Sequence, residues 1–393
     1  LKGSKEATMR ESRGALKLGS LRGIPIRVHY SLLLVLPLLA YLFGGAFRRA
    51  AEVANVPPEQ LMGFPILWGL GVAVGLFASV FVHELAHTFY ALARGGQVRS
   101  ITLMMVGGVS ELSEAPPRPR DEALMALVGP LTSLALAGLF GLATWGVEGT
   151  TSFNLRFACF YLASLNLFLG LFNLLPAFPM DGGRILRAVL TGRLGAVKAT
   201  RVASLVGRGF AVLFALWGVV SFNPFLFVIA FFIYMGAEGE SRQVRMKALL
   251  ERVSVSELMT PRGAGVEVGA LLEQALWDLR RERQTVLPVT EDGRPVGLVD
   301  VEAVRAVSEA DRIHRLTREV MSPVLVVRLD EDGWRAVRQL AENSAQLLAV
   351  VDAEGRLVGT LDVDDVQRGM TLVQTREERA ERDARRWRQE RPA

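Results

Sequence analysis

VFVHELAHTFYALARGG, residues 80–96, places two histidines and a glutamate inside a run that otherwise has the composition of a membrane-spanning helix. Ionisable groups are costly at that depth, and where they occur they generally do a job. His83 and His87 are four apart, so on a helix they share a face and both imidazoles can reach one ion. Glu84, one residue on from His83, can address a water at that ion, and zinc suits such a donor set with one position left open. The bland alternative is that the three groups simply pair with one another inside a bundle.

Outward from this stretch the chain divides in two. Half of its 393 residues are hydrophobic, and they crowd into the part from about Ser31 to Tyr234. Everything after Glu238 has the mixed texture of a soluble domain. About six apolar segments approach the roughly 20 residues that a span needs. They read as 31–47, 65–93, 122–146, 155–176, 203–221 and 223–237, with Pro224 just inside the last.

Lys and Arg mark the cytoplasmic loops. They precede the first span (Lys17, Arg22, Arg27), lie between the second and third (Arg94, Arg99, Arg118, Arg120) and follow the fourth and sixth (Arg184, Arg187, Arg193; Arg242, Arg245, Lys247). Both termini are therefore expected to be cytoplasmic. His83 to His87 and the segment FNLLPAFPMDGGR, residues 172–184, then fall at one membrane depth.

A two-histidine site needs a third protein ligand. His29 opens the first span and His314 lies in the soluble half, so neither suits. Asp181, in a Pro- and Gly-containing break, suits better; its other reading is an N-cap for GGRILRAVL. QVRSITLMMVGGVSELSE, residues 97–114, is rich in strand formers and reads as a re-entrant hairpin offering an edge to an unwound substrate, or else as an ordinary loop.

HELAH together with NLLPAFPMDGGR resembles the site-2 protease family of intramembrane zinc metalloproteases. The likeness covers about residues 20–237, including GIPIRVHYS, the Gly107-Gly108 loop and VGPLTSL. It implies His83, His87 and Asp181 as zinc ligands, Glu84 as catalytic base and Asn173 as an aid near the oxyanion. It implies a substrate with a single membrane span, hydrolysed in or near that span, in a prokaryotic cell membrane. It also favours the hairpin reading of residues 97–114.

The soluble half repeats itself. VLPVTEDGRPVGLVDV, residues 286–301, aligns without a gap to LAVVDAEGRLVGTLDV, residues 348–363, and the same offset pairs Leu258-Met259-Thr260-Pro261 with Val320-Met321-Ser322-Pro323. A repeat of about 60 residues follows. It is similar to a tandem pair of cystathionine-beta-synthase (CBS) domains, a resemblance that implies a regulatory module, a candidate site for ATP or AMP and a homodimer. Of the Gly-x-x-Thr/Ser-x-x-Asp pattern that contacts ribose in that family, only the second unit keeps the terminal aspartate, Asp365. Both units put aspartate, Asp300 and Asp362, at the hydroxyl position.

The expected architecture is a polytopic α-helical membrane protein followed by an α/β tandem CBS module. Its parts are an N-terminal tail (1–20), a membrane metalloprotease domain (21–237), a linker (238–251), CBS units at 252–310 and 311–370, and a charged tail (371–393). The N-terminus lacks the order of a cleaved signal peptide, and residues before Met9 are left out of the functional reading. One cysteine, Cys159, excludes a disulfide framework within the chain, and a net charge of +5 dispersed between hydrophobic segments speaks of membrane topology before nucleic acid. Two other functions fit the polar cluster: a transporter with the same module, and a non-catalytic relative that binds membrane partners.

Overall fold

A computed structural model describes residues 14–375 apart from 62, 106, 115–117, 147–152, 263, 372 and 374. Leu1–Thr8, and the tail beyond 375 with its Trp387, lie outside the described residues. Two compact units are formed, Leu1–Val244 and Arg245–Ala393.

The first unit opens with strands β1 (Ala15–Leu21) and β2 (Ile24–His29), joined by a turn at Arg22 and Gly23. Helix α1 (Tyr30–Val53) follows, capped by His29, whose Nδ1 accepts from the Ser31 amide. Helix α2 (Pro65–Ala93) carries the HELAH residues and starts at a proline, where no amide proton is needed. Its ARGG ending is a Schellman cap: Gly96 N–H bonds the Ala91 carbonyl, Gly95 N–H bonds that of Leu92, and Gly95 takes a φ of +81°.

Residues 97–114 form a hairpin of β3 (Gln97–Met104) and β4 (Gly107–Glu114), with Met104 facing Gly107. β2 pairs in parallel with β3, giving one four-stranded sheet in the order β1-β2-β3-β4. Part of the stretch read as a tail is therefore the first edge of that sheet, and β4 is the other edge.

Helices α3 (Pro119–Gly146) and α4 (Phe153–Asn173) are the next two long apolar helices. An irregular strap, residues 174–180, leads into α5 (Asp181–Leu194), followed by α6 (Ala196–Val220) and α7 (Pro224–Leu250), which belongs to the first unit as far as Val244. Six of these seven helices, all but α5, are long and apolar enough to cross a membrane. Leu34, Tyr41, Leu142 and Val220 stand two-thirds or more exposed on their outer faces. That exterior suits hydrocarbon, where helices satisfy their own backbone. The stretch read as a linker is helical as far as Leu250.

The strap is packed tightly. Ala177 and Phe178 are fully buried, and the peptide bond between Phe178 and Pro179 is cis. Gly207 of α6 lies against the Phe178 carbonyl and Gly236 of α7 against the Pro179 ring, where side chains would collide.

In the second unit, β6 (Val266–Glu267), β7 (Val286–Glu291) and β8 (Arg294–Asp300) form one sheet, and β9 (Leu325–Arg328), β10 (Leu348–Val351) and β11 (Leu357–Leu361) form most of another. The leading segments of the two repeats are exchanged. β5 (Thr260–Pro261) of the first repeat pairs with β11 of the second, and Ser322 of the second bonds Leu298 of the first through both backbone groups at 2.8 Å.

Candidate metal centre

α2 presents His83 and His87 on one buried face, 4% and 7% exposed. His87 Nδ1 lies 2.6 Å from the Met125 carbonyl, which can only accept, so Nδ1 carries the proton and the Nε2 lone pair is free. His83 Nδ1 is 2.9 Å from Ser133 Oγ, a partner that holds the orientation of its ring. The two Nε2 atoms are 3.1 Å apart.

Asp181 completes the triangle. Met180 is the N-cap of α5 and makes no side-chain cap bond; Asp181 is the first helical residue, and its Oδ2 lies 3.2 Å from His83 Nε2 and 3.3 Å from His87 Nε2. Asp181 is thus not the N-cap of α5, and its carboxylate is turned to the two histidines. Three electron-rich atoms facing one another at this spacing, nearly out of water, need a cation or an extra proton between them. Their separations approach the ~3.3 Å edge of a tetrahedron drawn with zinc bonds of ~2.0 Å. The donor set fits a zinc ion with a fourth position open.

Glu84 stands beside the pair, with a carboxylate oxygen within 4.8 Å of a ring nitrogen of each histidine. Its Oε2 accepts from Ser110 Oγ of β4 at 2.8 Å. A methyl on Gly129 of α3 would overlap the Nε2 atoms of both histidines, so only glycine lets this helix lie against them. Gly129 and Ser133 both fall in VGPLTSL, a stretch the sequence flagged by resemblance without a chemical reason; Ser110 and the Met125 carbonyl were not legible at all.

The strap and α5 deliver Asp181. Gly182 and Gly183 lie against the backbone of Leu174, Leu175, Ala177 and Phe178, which accounts for both glycines of DGG. Arg187 ties α5 to Glu122 of α3 and to Glu240 of α7 at 3.4 Å, and its guanidinium rests 5.2 Å over the Phe178 ring. Arg184 pairs with Glu240 at 3.6 Å.

Asn173 is at the end of α4, and its Nδ2 donates back to the Leu169 carbonyl at 3.0 Å; this brings it into no bond with the cluster. Asp365, in the second unit, is 3% exposed. Its Oδ1 accepts from Thr260 and Arg368, each at 2.5 Å, and its Oδ2 from the Asp362 amide at 3.0 Å, while Asp362 Oδ1 returns a bond to the Asp365 amide. This is a reciprocal cap that also ties the two repeats, so a sugar contacting this carboxylate would have to displace Thr260 or Arg368.

Comparison with known proteins follows the same division. The model of peptidase family M50 matches residues 71–153 and 138–216, and that of the CBS domain matches 255–309 and 317–371. A zinc metalloprotease of Methanocaldococcus jannaschii is 30% identical over 93% of this chain and 98% of its own length. The chain belongs to peptidase family M50, the site-2 protease family. A Mycobacterium tuberculosis protein named for a zinc metalloprotease, Rip3, is 32% identical over 91% of this chain and 93% of its own. The solved site-2 protease from M. jannaschii is 32% identical, covering 58% of this chain and 95% of that one, with a TM-score of 0.42. This site-2 protease homologue thus couples the family's multi-pass membrane helices to a tandem CBS module.

Proposed function

We propose that the chain is a zinc-dependent intramembrane endopeptidase that hydrolyses a peptide bond in or near the membrane span of a single-span protein. The observation that carries this reading is the triangle of His83 Nε2, His87 Nε2 and Asp181 Oδ2, closed to 3.1–3.3 Å beside Glu84. Zinc held there would supply Lewis acidity and bring the pKa of its water toward neutrality. Glu84 takes the proton of the attacking water and returns it to the leaving amine. Asn173 steadies the oxyanion once its amide turns from Leu169. β4, the outer strand beside Glu84, is suited to pair with an unwound substrate segment. Both termini face the cytoplasm in this reading, and the CBS module supports a homodimer.

Zinc per chain in purified protein is the test, with Asp181→Ala and Glu84→Gln beside it. About one zinc is expected, much weakened by Asp181→Ala. Glu84→Gln keeps the metal and loses cleavage of a reconstituted single-span substrate. Zinc-free protein, even after reconstitution, would discard the protease reading, and ion flux without cleavage would replace it with transport.

For the module, we infer adenine nucleotide binding that opens the Thr260–Asp365 tie. Calorimetry with ATP and AMP should then show binding weakened at least about tenfold by Asp365→Asn, the loss of one charge-assisted bond. No heat with either nucleotide leaves a module that only docks or dimerises.

A further inference from the structure

Glu84 is held from outside its own helix. Ser110, opposite Ile101 in the β3–β4 register, gives its hydroxyl proton to Glu84 Oε2 at 2.8 Å. With that proton committed, Ser110 Oγ can only accept from Thr88 Oγ1, 3.2 Å away on α2 and 1% exposed. The hydroxyls therefore form a directed chain, Thr88 to Ser110 to Glu84, that leaves α2, crosses to β4 and returns. Each link polarises the next, and the last is a hydrogen bond to a carboxylate.

Gly108 is two residues before Ser110, on the same face of β4. A methyl there would overlap Glu84 Cγ and stand 3.1 Å from its Cδ. The strand thus touches Glu84 at two successive same-face positions, once by a hydrogen bond and once by backbone contact.

We propose that Ser110 is a positioning residue for Glu84: it fixes one carboxylate oxygen, leaves the other to handle the proton, and makes the placement of the base depend on β4. Because β4 is an outer strand of its sheet, a chain that pairs along it acts on the element that aims the base. Substrate engagement and base placement are one event. This rests on Glu84 being the base, as proposed above. An acid–base group has to be within hydrogen-bond reach of its proton, and a displacement of about 1 Å can cost on the order of 100-fold.

The experiment uses full-length, zinc-loaded protein and a reconstituted single-span substrate. Ser110→Ala should lower kcat about 10- to 100-fold with KM within about twofold and zinc content unchanged, and Ser110→Thr, which keeps the hydroxyl, should recover most of the rate. A role limited to hairpin shape would raise KM, or be served as well by alanine. Hydrogen exchange of the β4 amides gives a readout that needs no turnover. Ser110→Ala and Glu84→Ala should each accelerate it, and the double variant no more than either single one. Additive acceleration, or a kcat within about twofold of wild type in Ser110→Ala, overturns the proposal. A wild-type chain that holds zinc and cleaves nothing removes the protease reading, and the exchange cycle alone then decides whether β4 holds Glu84.

Discussion

Gly129 shows how much of the site lies in what a residue lacks. In an ordinary helix, alanine for glycine is favourable by about 1 kcal/mol, so propensity alone makes Gly129→Ala a stabilising change. Across the helix pair, however, the added methyl would occupy the space of the two Nε2 atoms that face Asp181. The expected outcome is a folded helical protein whose zinc affinity, measured by competition with a chelator, falls at least about tenfold, the scale of a disturbed ligand environment. Unchanged affinity would mean that α3 does not press on the rings. His83, Glu84, His87 and Asp181 were legible in the sequence because spacing on one helix and a polar break at matching depth are local signals. Gly129, Ser133 and Ser110 were not, since the reason for each stands on another element.

Among elements, length and hydropathy sufficed for the six apolar helices, because each must satisfy its own backbone and shield it with side chains. Their ends were less legible. α6 begins at Ala196 and takes in Lys198 and Arg201, and α7 runs on through charged residues to Leu250. A helix leaving hydrocarbon can become polar without stopping, so the loss of hydropathy was misleading as an end signal. β1 and β2 form a local hairpin through Arg22-Gly23, a turn without the Asn-Gly or Asp-Gly pair that signals one most clearly. β2 pairs with β3 across the whole of α1 and α2, and such a pairing leaves no local mark. The ties between helices have the same character. Asn166, fully buried on α4, donates to Ser79 Oγ at 3.0 Å and to the Leu162 carbonyl at 2.8 Å, and Ser79 is one turn from His83 on α2. Bonds of this kind between membrane helices contribute roughly 0.6–2 kcal/mol each. Together with Arg187, bonded to α3 and α7, they account for how two separate elements, α2 and α5, bring His83, His87 and Asp181 to one point.

At the scale of the whole molecule, the repeat in the second unit was plain from one offset, but self-similarity cannot tell two self-contained units from two that complete each other. The structure has the second kind. Met259 of the first repeat lies over Gly359 of the second, and Met321 of the second over Gly297 of the first, where an added methyl would stand 2.7 Å from the Met321 sulfur. Each glycine is what lets the other repeat's leading segment reach its sheet. Gly359→Ala would drive a methyl into the Met259 sulfur and to within 2.9 Å of the Thr260 carbonyl, backbone that cannot swing away. Both repeats should therefore loosen, although the change lies in one. Hydrogen exchange on the full chain should speed up in β7 and β8 as well as in β10 and β11, with a destabilisation of about 1–3 kcal/mol, the usual cost of overpacking. Faster exchange confined to β10 and β11 would show that the first repeat stands without its exchanged segment. The module would then be two domains in series, able to transmit nothing between them; loosening in both makes it one cooperative body, which is what a regulatory reading of the pair requires.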